Sequence, residues 1–279
     1  MNNVTLHNQV EMPIVGFGVF KVPSGETAKI VKQALDTGYR SIDTAQVYNN
    51  EEGVGKGIKN SSVPRDEIFV TSKVWHKDGG DKRAMDSIDG TLRRLQLDYI
   101  DLMLVHQPFG DYYGIYRALE KAYRQGKIRA IGVSNFSPDR YLDLVHYNDI
   151  VPHVNQVETH VFNQQVEAQK IFAEYDTITE SWGPLAQGQQ GFFENEVLTE
   201  IAAKHNKSVA QVAMRYLIQR GIIVIPKTVK VSRMKENIDL FNFELSSEEM
   251  SLILALDKKQ TNQAPHTDPN RVKGLIGMK

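Results

Sequence analysis

Cysteine is absent from this chain of 279 residues. That excludes disulfides, thiolate zinc sites and cysteine nucleophiles together. Net charge is nearly absent too: 33 Lys+Arg stand against 34 Asp+Glu, a balance of -1. The strong basic field of a general nucleic-acid binder is therefore missing, although a local basic pocket is compatible with this balance. Long apolar runs are lacking as well. Stretches such as Ile222–Ile225 fall far short of the ~20 residues a membrane span needs. The opening MNNVTLHNQVEMP is polar and has no apolar core of the kind a secretory signal requires. There is no H-E-x-x-H metal motif, no G-x-x-x-x-G-K-[ST] phosphate loop and no G-x-S-x-G elbow. The expectation is a cytoplasmic protein that partners neither membrane nor nucleic acid.

What is there is rhythm. After a short opening that reads as a β-hairpin plug (VTLHN, then VEMP), β-branched runs alternate with amphipathic stretches. The expected strands are Val15–Gly18, Ser41–Thr44, Ile68–Val74, Tyr99–His106, Ala130–Asn135, Val154–Glu158, Thr177–Trp182 and Ile222–Lys227. Between them lie patterns such as ETAKIVKQALDTG, in which Ile30, Val31, Ala34 and Leu35 share a face and Gly38 is a stop signal. The strand runs are mostly continuous hydrophobics, as parallel strands buried on both faces require. Eight strands interleaved with helices, without a Gly/Ser/Pro-rich linker, read as an α/β chain folded as a (β/α)8 TIM barrel spanning 1–279 as one domain. A doubly wound sheet is the competing architecture, but it would show a Gly-rich turn after its first strand. The interval after the seventh strand is the longest. It holds AQGQQGFF and an extra helical pattern, Glu196–His205, and reads as a long loop covering a ligand.

In such a barrel, functional groups sit where strands end and βα-loops begin. Those ends supply Asp43, Tyr48, Lys73 and His106. Each alone has an ordinary explanation as a cap, an ion-pair partner, loop packing or a satisfied core histidine. Together they form an acid–base set. A free tyrosine has a pKa of ~10, too high for proton transfer near neutrality, and an adjacent Lys73 cation is expected to lower it. Asp43 would hold that cation, and His106 would hydrogen-bond a carbonyl oxygen as it gains charge. With no nucleophile or metal cluster in the sequence, the missing reagent is a hydride, and a cofactor must carry it.

GYRSIDTAQVYNNEEGVG closely resembles the aldo-keto reductase signature, and FVTSKVW, DLMLVHQP, VSNF, VNQVE and IPKTVKVSRMKEN resemble its other blocks in family order. The resemblance implies a barrel that binds NADP(H) at its C-terminal face and reduces aldehydes or ketones. Carried onto matching positions, it makes Tyr48 the proton donor, tuned by Lys73 and Asp43, with His106 orienting the carbonyl. It implies cofactor contacts from Gly18, Val19 and Asp43 and a clamp on the nicotinamide carboxamide formed by Ser134, Asn135 and Gln156, with Trp182 stacked on the ring. It further implies cofactor contacts from Gly183, Pro184, Leu185, Thr228, Val229, Glu236 and Asn237. Lys227 and Arg233, near a helix N-terminus that favours anions, would read the 2′-phosphate and so select NADP over NAD. Phe20, Tyr48, Trp75, His106 and the tail after Asn262 are expected to shape an aromatic pocket for a small carbonyl substrate. Phe20 and Gln107 stand where many relatives have Trp, which bears on substrate preference. A monomer is the family expectation. A sensing or structural NADP(H)-binding barrel with little turnover is the rival, as in the family's channel subunits and crystallins, and the intact acid–base set argues against it. A metal-dependent hydrolase would need a carboxylate/His cluster that the strand ends lack.

Overall fold

The computed structural model describes residues 2–278; the first and last residues of the expected 1–279 domain lie outside the described ones. Strands β1 (Asn3–Thr5) and β2 (Glu11–Pro13) pair antiparallel, with Val4 opposite Met12. This is the expected hairpin plug. Eight parallel strands follow: β3 (Phe17–Gly18), β4 (Ser41–Asp43), β5 (Phe69–Val74), β6 (Ile100–Val105), β7 (Ile128–Ser134), β8 (Val154–Glu158), β9 (Ile178–Trp182) and β10 (Ile223–Val224). Each pairs with its sequence neighbour. A parallel bridge from Val15 to Val224 closes the ring. There Gly16 N donates to Val224 O at 2.8 Å, and Val224 N donates to Ile14 O at 3.0 Å. The chain is a TIM barrel of the α/β class. The first and last strands are shorter than their sequence runs because pairing at this seam is confined to a few residues.

The helical periods fold as their apolar faces dictate. In α1 (Ser24–Thr37), Ile30, Val31, Ala34 and Leu35 are buried, and Gly38 closes the helix at φ 115°, where a Cβ would be strained. The extra helix in the long interval spans Glu196–His205, as its pattern indicates. One helix escapes the period reading. Helix α2 (Glu51–Lys59) contains Gly53, Gly55 and Gly57, residues that weaken helix propensity by about 1 kcal/mol each. The glycines are there for close approach. A Cβ on Gly53 would lie 2.7 Å from Thr27 and one on Gly57 2.7 Å from Val31, both on α1. On Gly55 it would lie 2.0 Å from the carbonyl oxygen of Leu95, at the end of α3 (Asp81–Leu95).

Gly55→Ala is expected to destabilise the fold by about 1–3 kcal/mol or more, because backbone rather than a movable side chain is in the way. Denaturant unfolding checks this, and an unchanged midpoint would show that α2 shifts freely.

Candidate active site

The C-terminal strand ends bring the four expected residues together. Lys73, on β5, is fully buried. Its Nζ donates to Asp43 Oδ1, Asp43 Oδ2 and Thr44 O, each at 2.8 Å. Burial works against the ammonium, but Asp43 and Tyr48 outweigh it and raise the Lys73 pKa above its ordinary value. Lys73 is therefore a fixed cation. It stands 5.1 Å from the centroid of the Tyr48 ring.

Tyr48 closes a short 3₁₀ turn, Gln46–Tyr48. Polar neighbours place that turn. Gln46 Oε1 accepts from Trp75 N at 2.9 Å, and its amide nitrogen donates to Ser87 and Thr91 on α3. Asn50 accepts from Thr44 Oγ1 at 2.7 Å and donates to Val19 O at 3.0 Å.

The charge balance at Tyr48 corrects the sequence reading. Burial pushes its pKa above the ordinary value of 10.0, and Lys73 only opposes that rise, while Asp43 and Glu180 add to it. Desolvation wins. The hydroxyl is a phenol at neutral pH, which is the state a proton donor needs.

His106 follows β6, and burial, helped by Lys73, His266 and His76, holds its pKa well below 6.5. The ring is neutral, and its buried Nδ1 has no protein partner among the described residues. Phe20, Tyr48, His106 and Trp75 form one aromatic wall, with successive ring centroids 4.9, 5.8 and 5.0 Å apart. Trp75 Nε1 is likewise buried without a partner among the described residues.

Asn135, just past β7, adopts φ 65°, a left-handed conformation that Asn tolerates better than most residues. It gathers three strand ends. Its Nδ2 donates to His106 O and Ser134 Oγ at 3.1 Å, and its Oδ1 accepts from Trp182 Nε1 at 2.9 Å. Ser134 Oγ donates to Gln156 O at 3.0 Å. Gln156 Nε2 turns inward, to Asp43 Oδ2 at 2.9 Å and Glu180 Oε2 at 2.8 Å.

The remaining expected contacts sort by location. Gly18 and Val19 lie in the barrel wall, where Gly18 N donates to Pro226 O at 3.2 Å and Val19 N to Asp43 O at 3.0 Å. Gly183 turns the chain after Trp182 at φ 68°, ahead of buried Pro184 and half-buried Leu185. Thr228 and Asn237 are buried, whereas Lys227, Val229 and Arg233 are exposed. Helix α9 (Val231–Ile238) has no side-chain cap at its N-terminus among the described residues. Glu236 accepts from Ser208 Oγ at 2.6 Å rather than pairing with Arg233.

The tail lies over the site. His76 Nε2 meets Leu275 O at 3.0 Å on α11 (Pro269–Gly277), and His266 packs against Phe109 at 5.8 Å. The tail roofs a cavity of about 550 Å³ whose lining includes Asn135, Trp182, Phe109, His266 and Arg271. That lining does not include Phe20, Tyr48, Trp75 or His106. The cavity sits on the β7–β8 side of the mouth, beside the aromatic wall rather than within it.

Sequence reasoning missed Glu180. It sits fully buried in the barrel interior, two residues before Trp182 and so on the same face of β9. An acidic residue in an otherwise buried strand was the available signal.

The aldo/keto reductase family model matches residues 15–258. The chain belongs to the aldo/keto reductase family. The glyoxal reductase of Bacillus subtilis is 52% identical over 261 residues, 93% of this chain and 94% of that protein. The methylglyoxal reductase of Yersinia pestis is 42% identical over 257 residues, covering 91% and 92%. An aldo-keto reductase from a deep-sea metagenome library superposes with a TM-score of 0.93 at 41% identity, over 95% of this chain and 98% of that one. The Bombyx mori aldo-keto reductase in complex with NADP gives 0.90 at 33% identity, over 98% and 96%. This aldo/keto reductase is thus an oxidoreductase, and carbonyl reduction is the activity its family supports. Among the described residues there is no cluster of metal-ligating side chains, and no helix is long and apolar enough to cross a membrane.

Proposed function

We propose that this aldo/keto reductase reduces small aldehydes and ketones with NADPH, Tyr48 donating the proton, and that 1,2-dicarbonyl compounds are good substrates. The observation that carries this reading is a neutral tyrosine beside a fixed cation. The Lys73 ammonium is locked at 2.8 Å by both Asp43 oxygens, while burial keeps the Tyr48 phenol protonated. The relatives named glyoxal and methylglyoxal reductase support the substrate class.

The site's residues fit a nicotinamide cofactor. Asn135, Ser134 and Gln156 bring amide and hydroxyl groups to adjoining strand ends beside the Trp182 indole; their donors are engaged within the protein, so a carboxamide would meet them by exchanging partners or through their remaining lone pairs. The α9 N-terminus carries no side-chain cap among the described residues, and Lys227, Lys230 and Arg233, close to it in the sequence and exposed, join no ion pair there. Such a terminus favours anions. When bound, the cofactor supplies the hydride.

The protein's residues do the rest. As the carbonyl oxygen gains electrons, Tyr48 Oη gives it a proton, and the phenolate left behind is stabilised by Lys73. Neutral His106 donates a ring N–H to the same oxygen, a contact that strengthens as charge develops. Phe20 and Trp75 give the substrate face an apolar, aromatic wall. NADPH oxidation measured over a carbonyl panel tests the reading. Turnover with glyoxal and methylglyoxal is expected, and tight NADPH binding without turnover on any carbonyl would favour the sensing module instead.

Cofactor choice has its own test. Losing one charge-assisted phosphate contact costs about 1.5–3 kcal/mol, or roughly one to two decades of affinity. The double variant Lys227→Ala/Arg233→Ala is expected to weaken NADPH binding by at least that much and to leave NADH nearly unchanged. Fluorescence titration of both cofactors decides it. An equal loss for both would mean that these residues hold the loop together rather than read the phosphate.

A further inference from the structure

Beneath the catalytic four lies a second carboxylate that the reaction scheme does not use. Glu180 is fully buried on β9. The only protein hydrogen bond to its carboxylate among the described residues comes from Gln156 Nε2 at 2.8 Å, and the other oxygen, Oε1, is buried without a partner there. The same amide nitrogen donates to Asp43 Oδ2 at 2.9 Å. One amide therefore bridges two carboxylates, and a single cation, Lys73, faces them both.

The charge count is the point. The ionisable groups that face Glu180 are Asp43 from β4, Lys73 from β5 and Tyr48 from the turn after β4. Asp43 and Lys73 cancel, and Tyr48 is neutral. An ionised Glu180 would leave one uncompensated negative charge in the barrel interior, which buried sites strongly disfavour. Burial first, and then Asp43, push its pKa up to about 8, so it holds a proton at neutral pH.

We propose that Glu180 is the charge-compensating group of the site, keeping its proton beside reduced nicotinamide and releasing it beside the oxidised, cationic ring. This rests on the NADP(H) reading above. Reduced nicotinamide is uncharged, so the neutral acid suits it. Oxidised nicotinamide carries one positive charge, which Glu180, on the same face of β9 as Trp182, is placed to balance once ionised. No proton is routed from Glu180 to Tyr48; the two are linked only through charge. Binding of NADP⁺ should release up to one proton, and binding of NADPH should release none. By the reciprocity of linkage, NADP⁺ must then bind more tightly as pH rises, by at most about tenfold per pH unit.

The test measures dissociation constants for NADPH and NADP⁺ as a function of pH in wild type, Glu180→Gln and Tyr48→Phe. Ionisation of the 2′-phosphate is common to both cofactors and cancels in their ratio. In wild type the ratio Kd(NADP⁺)/Kd(NADPH) is expected to fall by about tenfold between about pH 6 and pH 8. Glu180→Gln, which has the shape of the neutral acid, should make it flat, while Tyr48→Phe should keep the slope. A flat wild-type ratio, or a slope that survives in Glu180→Gln, overturns the proposal. A slope lost in Tyr48→Phe assigns the proton to the tyrosine and overturns it as well. Should Glu180→Gln fail to fold, calorimetry of wild type and Tyr48→Phe in two buffers of different ionisation enthalpy replaces it. Proton release with NADP⁺ alone in both proteins sustains the proposal, and equal exchange with both cofactors sinks it. If neither cofactor binds wild type at any pH, the NADP(H) reading itself has failed, a result distinct from a flat ratio.

Discussion

Tyr48→Phe is expected to abolish carbonyl reduction while NADPH binding stays within a few fold of wild type. The substitution removes one hydroxyl and keeps the ring, so the contacts with Phe20 at 4.9 Å and His106 at 5.8 Å survive. Binding should change little, because the cofactor contacts proposed here come from Ser134, Asn135, Gln156 and the α9 terminus. Turnover should collapse, because a positioned general acid contributes ~10²–10⁴-fold. No neighbour replaces it easily. The Lys73 ammonium is held by three acceptors at 2.8 Å, and His106 is kept neutral by burial, with little proton to give at pH 7. Single-turnover measurements with saturating NADPH read the chemical step directly. Retained turnover within tenfold of wild type would move the proton donor elsewhere, His106 first.

Lys73→Met is expected to cost both activity and stability. Met matches the length of the lysine stem but leaves Asp43 buried with, among the described residues, only the Gln156 amide as its remaining donor. Breaking a buried ion pair from one side costs about 3–5 kcal/mol, because the surviving charge is stranded. In a barrel this tightly packed, that is a large share of a typical 5–15 kcal/mol of stability. The kinetic loss has a separate cause. Without the ammonium, nothing opposes the effects of burial, Asp43 and Glu180 that already raise the Tyr48 pKa. The phenolate formed on proton transfer then has no adjacent cation. Thermal unfolding gives the stability effect, and the pH profile of turnover gives the coupling. A folded variant that reduces aldehydes as fast as wild type near neutrality would refute the Lys73–Tyr48 link.

Much of this site is legible along the chain. Asp43, Tyr48, Lys73 and His106 follow from two local facts: continuous apolar runs mark the strands, and barrel chemistry collects where those strands stop. Helix α2 is not legible in the same way. Its three glycines argue against a helix locally, and their reason appears only when α1 and α3 are found pressed against them. Those glycines are packing glycines, not a nucleotide-binding turn.

The strand order, the helical faces and the residue types at the strand ends are determined by the sequence itself, because period and propensity act between near neighbours. The protonation states were decided by the tertiary structure. Read from the sequence, Lys73 lowers the pKa of Tyr48; in the folded chain, burial outweighs it, and the tyrosine stays a phenol. Glu180 could be seen in the sequence only as an odd acid in an apolar strand. Its proton is held by burial first and then by Asp43, more than a hundred positions away in the chain and joined to it through one Gln156 amide. A charge on a buried group is governed by water excluded and by ions brought near from distant segments, and no local pattern encodes either.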